Sequence, residues 1–351
     1  MKGLLDGLRV FDLGIWRPVP YTTQLLVEMG ADVIKVEPPG GDPMRAFPEL
    51  FATLNRGKRS VVLDLKRDDD RARALDLAVG ADVVIEGFRP GVVDRLGVSY
   101  AHVAAVNPGI VYCSLSGFGQ DGPLVDVTGH DVNYQAWSGS LSPDGSPPLM
   151  GRVPIADLGG SLAAAMSICA ACVRRARTGE GEYIDLGITD LLVTWTGAGS
   201  SRIEGEDELA TRGEIPGYGT FETADGAFLA LGVIAEDHFW SPLCKVLGLD
   251  DVADLDFLER VGHGSDIQRR VRAVIAERQL DELLGAMLAV GAPAAPVLDT
   301  RAVMSQAHFA ERGSVVDGRA GHPAKLHAHP AVIVDRVPGV GEHQAEGWLP
   351  R

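Results

Sequence analysis

The sequence predicts an α/β protein, with a large parallel-sheet domain followed by a small α+β domain. Three observations predict it. Over the first two hundred residues, short apolar runs bounded by turn residues alternate with segments of helical period, the pattern of a parallel sheet with crossover helices. A different texture starts at Tyr218, where two strand-like runs flank Ala224-Asp225-Gly226 as in a hairpin. The acidic, Gly-containing stretch 199–217 between them is weakly periodic and reads as a linker. A chain of 351 residues suits two domains.

Taken in order, Leu8–Leu13 is the first strand candidate, followed by a Gly/Pro turn through Pro20. Tyr21–Met29 has helical apolar spacing and ends at Gly30, a suitable C-cap. Ala31–Val36 reads as a buried strand that Pro38-Pro39-Gly40-Gly41 terminates. Ser60–Leu65, Asp82–Ile85, Ile110–Ser114 and Glu182–Leu186 are further strands. Asp68–Val79, with its acidic first turn, the Ala-rich Ser161–Arg177, and Ile188–Gly197 are the helices between and after them. Residues 137–152 read as loop. In the small domain, Tyr218–Thr223 and Ala227–Val233 form the hairpin, and Ala294–Leu298 is a short strand. Glu236–Leu247, Asp266–Glu277 and Leu280–Ala289 are its helices. Helical spacing returns over Thr300–Arg312. The expected boundaries are 1–198 for the large domain, completed by the tail 310–351, 199–217 for the linker, 218–300 for the small domain and 301–309 for the return.

Composition narrows the function. A net charge of −16 argues against a nucleic-acid partner. The first hundred residues nevertheless carry 14 Lys+Arg against 15 Asp+Glu, with Arg56, Lys58, Arg59, Lys66 and Arg67 close together. Such a region steers a small polyanion, or is simply a solvated face. Four cysteines are too few for a disulfide scaffold and fit a reducing compartment. Cys169 and Cys172 form a C-x-x-C inside an Ala-rich helix and read as structural. The first residues lack a leader pattern, and the apolar run Ser161–Val173 is shorter than a membrane span. A cytoplasmic protein without membrane partners is expected.

Several familiar motifs are missing. No G-x-G-x-x-G follows the first strand, no G-x-x-x-x-G-K-[ST] exists, and Gly159-Gly160-Ser161-Leu162-Ala163 lacks the last glycine of a nucleophile elbow. There is no H-E-x-x-H, and three histidines in the tail (His322, His327, His329) suggest metal only weakly. No metal or cofactor is expected. What remains is Gly129-His130-Asp131-Val132-Asn133-Tyr134 and, after a loop, Ile155-Ala156-Asp157. An imidazole that titrates near neutrality and a carboxylate can serve as two bases in one pocket. Against this stand plainer readings: His130 as a satisfied polar group, Asp157 as an acid in a helix's first turn, and Glu236 as a helix N-terminal carboxylate.

An ordered set of segments carries a resemblance. They are Leu5-Asp6-Gly7-Leu8-Arg9-Val10, Gly30 to Glu37 (G-A-D-V-I-K-V-E), Asn55 to Lys66 (N-R-G-K-R-S-V-V-L-D-L-K), Glu86 to Gly91 (E-G-F-R-P-G) with Arg95-Leu96-Gly97, Gly117 to Pro123 (G-F-G-Q-D-G-P), and Thr178-Gly179-Glu180-Gly181. Across nearly the whole chain the sequence resembles the family III CoA-transferase superfamily (CaiB/BaiF type), and within it the α-methylacyl-CoA racemases. The resemblance implies a Rossmann-like CoA-binding domain, a small domain, an interlocked homodimer, and an acyl-CoA substrate that brings its own CoA. It implies a CoA groove lined by Ile15, Arg17, Leu63, Lys66, Gly87, Phe88, Arg89, Arg95 and Leu96. Pro38 departs from the family's frequent arginine, leaving Arg45 or Arg17 as substitutes.

The resemblance implies two competing chemistries at Asp157. In the racemases a histidine in the segment matching Gly129–Tyr134 works with the aspartate as opposed bases, and a glutamate matching Glu236 orients the imidazole. In the transferases the aspartate is a nucleophile that forms an anhydride. The closer match of the His130 segment favours the racemase. A non-catalytic CoA-thioester binder is the third possibility, which the intact His130 and Asp157 disfavour. Moving a weakly acidic α-proton requires a positioned base and stabilisation of the enolate oxygen. Backbone N–H groups beside Gly159-Gly160, expected just ahead of a helix, are candidates for the latter.

Overall fold

The computed structural model describes residues 3–141, 150–200 and 214–351. The chain forms two compact units, Met1–Ser201 with Ala310–Arg351, and Arg202–Phe309. The core of the linker expected at 199–217 lies outside the described residues.

The large unit is built on β1 (Arg9–Asp12), β2 (Asp32–Glu37), β3 (Arg59–Val62), β4 (Val83–Glu86), β5 (Val111–Ser116) and β6 (Glu182–Gly187). Their order is β3-β2-β1-β4-β5-β6 and every pairing is parallel. That is the order of a doubly wound sheet whose winding reverses between β1 and β4. Alternation along the strands divides the core into two faces. Val10, Val33, Val83 and Cys113 pack with one set of helices, and Phe11, Ile34, Val84 and Tyr112 with the other. Both faces are covered, so β4 and β5 are buried at every residue.

The helices are α1 (Pro18–Glu28), α2 (Pro48–Asn55), α3 (Asp68–Val79), α4 (Val92–Arg95), α5 (Tyr100–Val106), α6 (Asp131–Trp137), α7 (Ile155–Thr178) and α8 (Ile188–Ser200). Four of them, α2, α4, α5 and α6, have at most eight residues and are absent from the sequence reading. Helices so short owe their stability to tertiary packing rather than to propensity. By length and composition alone α7 is apolar enough to cross a membrane, which the sequence reading did not anticipate. Here α7 lies against β5, α1 and α8 as a core helix.

The tail closes the open edge at β3. The Gln344 side-chain amide accepts from the Val62 N–H at 2.8 Å and donates to the Val62 carbonyl at 2.9 Å, and the His343 N–H donates to the Ser60 carbonyl. A side-chain amide thus stands in for a further strand and caps groups that would otherwise template association. Trp348 anchors the end, donating from Nε1 to the Leu77 carbonyl at 2.8 Å, with its indole against Gly80. Trp348→Ala is expected to cost about 2 kcal/mol, less than for a fully buried indole because Trp348 is half-buried; urea unfolding midpoints measure it.

In the small unit, β7 (Tyr218–Glu222), β8 (Phe228–Gly232) and β9 (Ala294–Pro296) form an antiparallel sheet in that order. Helices α9 (Asp237–Leu247), α10 (Phe257–Gly262), α11 (Gly264–Ala276) and α12 (Leu280–Ala289) supply the rest of a core centred on Trp240, Phe221 and Leu283. The single helix expected over 300–312 is two short ones, Thr300–Met304 and Ala307–Arg312.

Candidate functional site

In an open α/β sheet, ligands lie at the carboxyl ends of the strands where the winding reverses. Here that crevice falls between the segments leaving β1 (Leu13 to Arg17) and β4 (Gly87 to Gly91). Gly87 and Arg89 are exposed there and Phe88 is half-buried. The buried Glu86 carboxylate receives the Phe88 N–H at 2.8 Å, which folds the loop back on the strand end. Burial pushes this carboxyl up to about 7, against opposing hydrogen bonds from Ser114 and Phe88.

At the same edge α6 and α7 bring the two predicted bases together. His130 is not a plain loop residue: it is the N-cap of α6, exposed, with its N–H bonded to Asn133 Oδ1 at 3.0 Å. Nor does Asp157 precede a helix. It lies inside the first turn of α7, which starts six residues earlier than the sequence indicated. The reason is a cap that local reading misses. Asp131 Oδ1 accepts the N–H groups of Ala156 (2.8 Å) and Asp157 (3.1 Å), some 25 residues along the chain. Asp131 Oδ2 is held by Gln135 Nε2 at 2.6 Å. Asp131 therefore ties the residue after His130 to the backbone of Asp157. It is the site residue that sequence reasoning overlooked, although its place in the Gly129–Tyr134 segment was a signal.

The half-buried Asp157 carboxyl is pushed up to about 6, by burial first and then by the negative charge of Asp131; Arg17 and His130 pull it back in part. Asp157 is thus the point on which the charges of the other three act. Burial, with Asp157 and Asp131 nearby, also raises the Tyr134 hydroxyl to about 12, and that hydroxyl donates to the Gly129 carbonyl at 2.6 Å. Two cavities, of about 460 and 530 Å³, lie elsewhere, one beside Leu8, Asp82 and Arg175 and one over β7 and β8. Neither includes these groups, so the site is assigned from side-chain geometry and charge rather than from concavity.

A raised carboxyl has a sign in stability. Below about pH 4 Asp157 is protonated in the folded and unfolded chain alike and costs nothing. As pH rises through 6 the folded protein has to ionise a group that burial disfavours, so the penalty is complete above 6. Asp157→Asn is therefore expected to stabilise the protein by on the order of 2 kcal/mol near pH 7.5 and not at pH 4. Urea unfolding at both pH values measures the difference.

Other expectations need correction. The N–H groups beside Gly159-Gly160 lie within α7 and belong to its ladder. The two glycines serve helix packing: a Cβ on Gly159 would meet Trp195 at 2.6 Å, and one on Gly160 would meet Ile188 at 2.8 Å. Leu63 is core, only 2% exposed, rather than groove lining. Arg45 cannot substitute for an arginine at Pro38, because its guanidinium is bidentate on Glu37 at 2.6 and 2.7 Å. The expected basic face largely disappears: Arg56 pairs with Glu28, Lys58 with Asp12 and Arg59 with Asp32, all three cations buried. Lys66, Arg67, Arg89 and Arg95 remain exposed, Ile15 and Leu96 half-buried. Glu236, on the small unit, is the N-cap of α9 and accepts the Ile234 N–H at 3.0 Å, which holds its carboxyl below the usual range. Among the described residues no three His, Cys, Asp or Glu side chains gather as a metal site.

A doubly wound sheet with a carboxylate, an imidazole and a guanidinium at its switch-point edge defines a ligand-binding α/β protein with groups fit for acid–base or nucleophilic work. Residues 5–344 match CoA-transferase family III, and the chain belongs to that family. It is 33% identical to the acetyl-CoA:oxalate CoA-transferase of Acetobacter aceti, over 93% of this chain and 90% of that protein. It is 32% identical to the succinate–glutarate CoA-transferase of Agrobacterium fabrum (98% and 95%) and 34% identical to the alpha-methylacyl-CoA racemase of Homo sapiens (97% and 92%). The fold is shared with a CaiB/BaiF family protein from Brucella suis, with a TM-score of 0.82 at 29% identity. It is also shared with Rv3272 from Mycobacterium tuberculosis, with a TM-score of 0.85 at 28% identity; each covers 98% of both chains.

Proposed function

We propose that the protein is an α-methylacyl-CoA racemase, moving a proton at the α-carbon of a 2-methylacyl-CoA between His130 and Asp157. The observation that carries this reading is that Asp131, the residue after His130, caps the backbone at Asp157, with the Asp157 carboxyl raised to about 6 and His130 among the charges acting on it. A carboxylate at its ordinary value is a poor base for a carbon acid and releases no proton at neutral pH. One near 6 is both a stronger base and a usable acid. Inversion needs such a pair, one group taking the proton from one face and the other returning a proton to the opposite face. Arg17, whose charge already reaches Asp157, is the described cation available to the enolate oxygen. The exposed Arg89 and Arg95, beyond β4, are assigned to the phosphates of CoA, and the substrate itself is the only source of CoA required. The orienting role that the family resemblance implies for Glu236 is tested by Glu236→Gln, for which that role predicts a loss smaller than that of His130→Ala.

The second reading is an acyl-CoA:carboxylate CoA-transferase with Asp157 as nucleophile. The transferase names of two of the relatives above favour it. Incubation with a 2-methylacyl-CoA in D₂O, without any acceptor acid, separates the two. Deuterium at Cα supports the racemase. No exchange, with transfer once a carboxylic acid is added and a trappable Asp157 adduct, replaces it by the transferase.

We further propose a homodimer. Leu162, Met166 and Val173 form one exposed stripe along α7, 52%, 70% and 54% accessible, and Trp195 on α8 is also exposed. A contiguous apolar surface of this kind marks an association site. The wild type is expected to scatter light as a dimer, and Met166→Glu to shift it toward monomer.

A further inference from the structure

Two lysines of the large unit are buried as ions with no part in the chemistry above. Lys58 is 3% exposed and donates from Nζ to Asp12 Oδ2 (3.1 Å), Asn55 Oδ1 (2.9 Å) and the Pro20 carbonyl (2.9 Å). Lys35, fully buried, donates to the Gly14 carbonyl at 2.6 Å and pairs with Asp42 at 2.8 Å. Asp12 receives the Gly14 N–H at 2.8 Å and the Thr23 hydroxyl at 2.6 Å. Burial alone would push the Asp12 carboxyl up, but Lys58 and Lys35, together with the Thr23 and Gly14 hydrogen bonds, outweigh it and hold the carboxyl below its ordinary value. Buried ion pairs are weak devices for stability, because desolvation offsets most of their attraction. Their presence calls for another reason.

The bonds fall on one segment. Gly14 is fixed at its N–H and its carbonyl, and Pro20 at its carbonyl. Between them, the Pro18 carbonyl accepts the Ser161 hydroxyl of α7 at 2.8 Å, one turn beyond Asp157. The segment is forced: Trp16 has φ of 61°, a left-handed conformation that costs energy for an aromatic residue. Gly14 admits no side chain, since a Cβ would meet Val19 at 2.3 Å. Among the described residues no hydrogen bond holds the Arg17 guanidinium, yet its charge acts on Asp157. Its position is thus set by the backbone that carries it.

We infer that Lys35 and Lys58 are positioning residues of the site: they clamp the strained Gly14–Pro20 segment from both ends and so present Arg17 to Asp157. The charged and titratable groups facing Asp157 are Asp131, His130 and Tyr134 from α6 and its cap, and Arg17 from the segment ahead of α1. Neither lysine is among them, so a lysine effect on Asp157 has to pass through the segment.

The inference rests on reading Arg17 and Asp157 as one site, and its test does not depend on turnover. The Asp157 carboxyl is titrated by ¹³C NMR in protein labelled at aspartate carboxyl carbons, its resonance identified by its loss in Asp157→Asn. In Arg17→Gln the midpoint is expected to rise by about one unit. In Lys58→Met and Lys35→Met it is expected to rise in the same direction although Arg17 is intact. In the Lys58→Met/Arg17→Gln double variant it rises no further than in Arg17→Gln alone. Folded lysine variants with an unmoved midpoint, or effects that add, overturn the inference. If neither lysine variant folds, Thr23→Val takes one hydrogen bond from Asp12 without removing a charge; a smaller rise supports the inference and none overturns it. The midpoint is read whether or not an acyl-CoA is racemised, so failure of the exchange assay and failure of the clamp are separate results.

Discussion

Interconversion of the 2R and 2S thioesters falls by about 10²- to 10⁴-fold in His130→Ala and in Asp157→Asn, the range that a positioned acid or base contributes. The two variants are not equivalent in what they retain. Each leaves the base on one face, so solvent exchange of the enantiomer presented to that face falls less than interconversion does. The pattern should reverse between the two variants. Chiral analysis of the thioester together with NMR of the α-hydrogen reads both quantities. Equal interconversion in His130→Ala and wild type would remove the imidazole from the mechanism and overturn the two-base reading. Asp157→Asn is at the same time expected to be the more stable protein at neutral pH, since the buried carboxyl is disfavoured as an ion there. Activity lost with stability gained separates loss of a functional group from loss of fold.

The second large effect is expected at Asp131, which holds no proton in the proposed reaction. Its negative charge helps to raise Asp157 to about 6, and one of its oxygens caps α7. Asp131→Asn keeps an oxygen acceptor for the Ala156 and Asp157 N–H groups and removes the charge. Asp157 then ionises at lower pH, so the acid limb of the rate profile moves below 6, by about half to one unit. Asp131→Ala removes the cap as well, at about 1 to 2 kcal/mol, and frees the tether between the two bases. Interconversion is expected to fall at least about tenfold further than in Asp131→Asn, since small misplacements of catalytic groups cost large factors in rate. An Asp131→Ala variant with wild-type pH profile and stability would show that the cap is incidental.

Much of this was legible in the residues. The runs Val83-Val84-Ile85 and Val111 to Ser116 required strands buried on both faces, and such strands exist only in parallel sheets covered by helices. The Gly129–Tyr134 segment marked His130, and the order of the family segments across the chain marked the fold. Less was legible where a position depended on a distant partner. The start of α7 moved six residues because Asp131 caps it from another helix. Arg56, Lys58 and Arg59 read as a basic face because their partners, Glu28, Asp12 and Asp32, lie on other elements, α1, β1 and β2. Arg45 read as free for a nucleotide until Glu37 was seen to hold it.

The sequence by itself determined the sheet, the residue types available for chemistry and the family, because hydrophobic period and ordered motifs act locally and survive without knowledge of contacts. Only the tertiary structure decided which charges are spent on one another, which glycines serve packing, and that Asp157 lies within reach of His130, Asp131 and Arg17. The physical reason is that the ionisation of a carboxylate is set by burial and by charges within a few ångströms, and those neighbours come from segments about 25 and about 140 residues away along the chain.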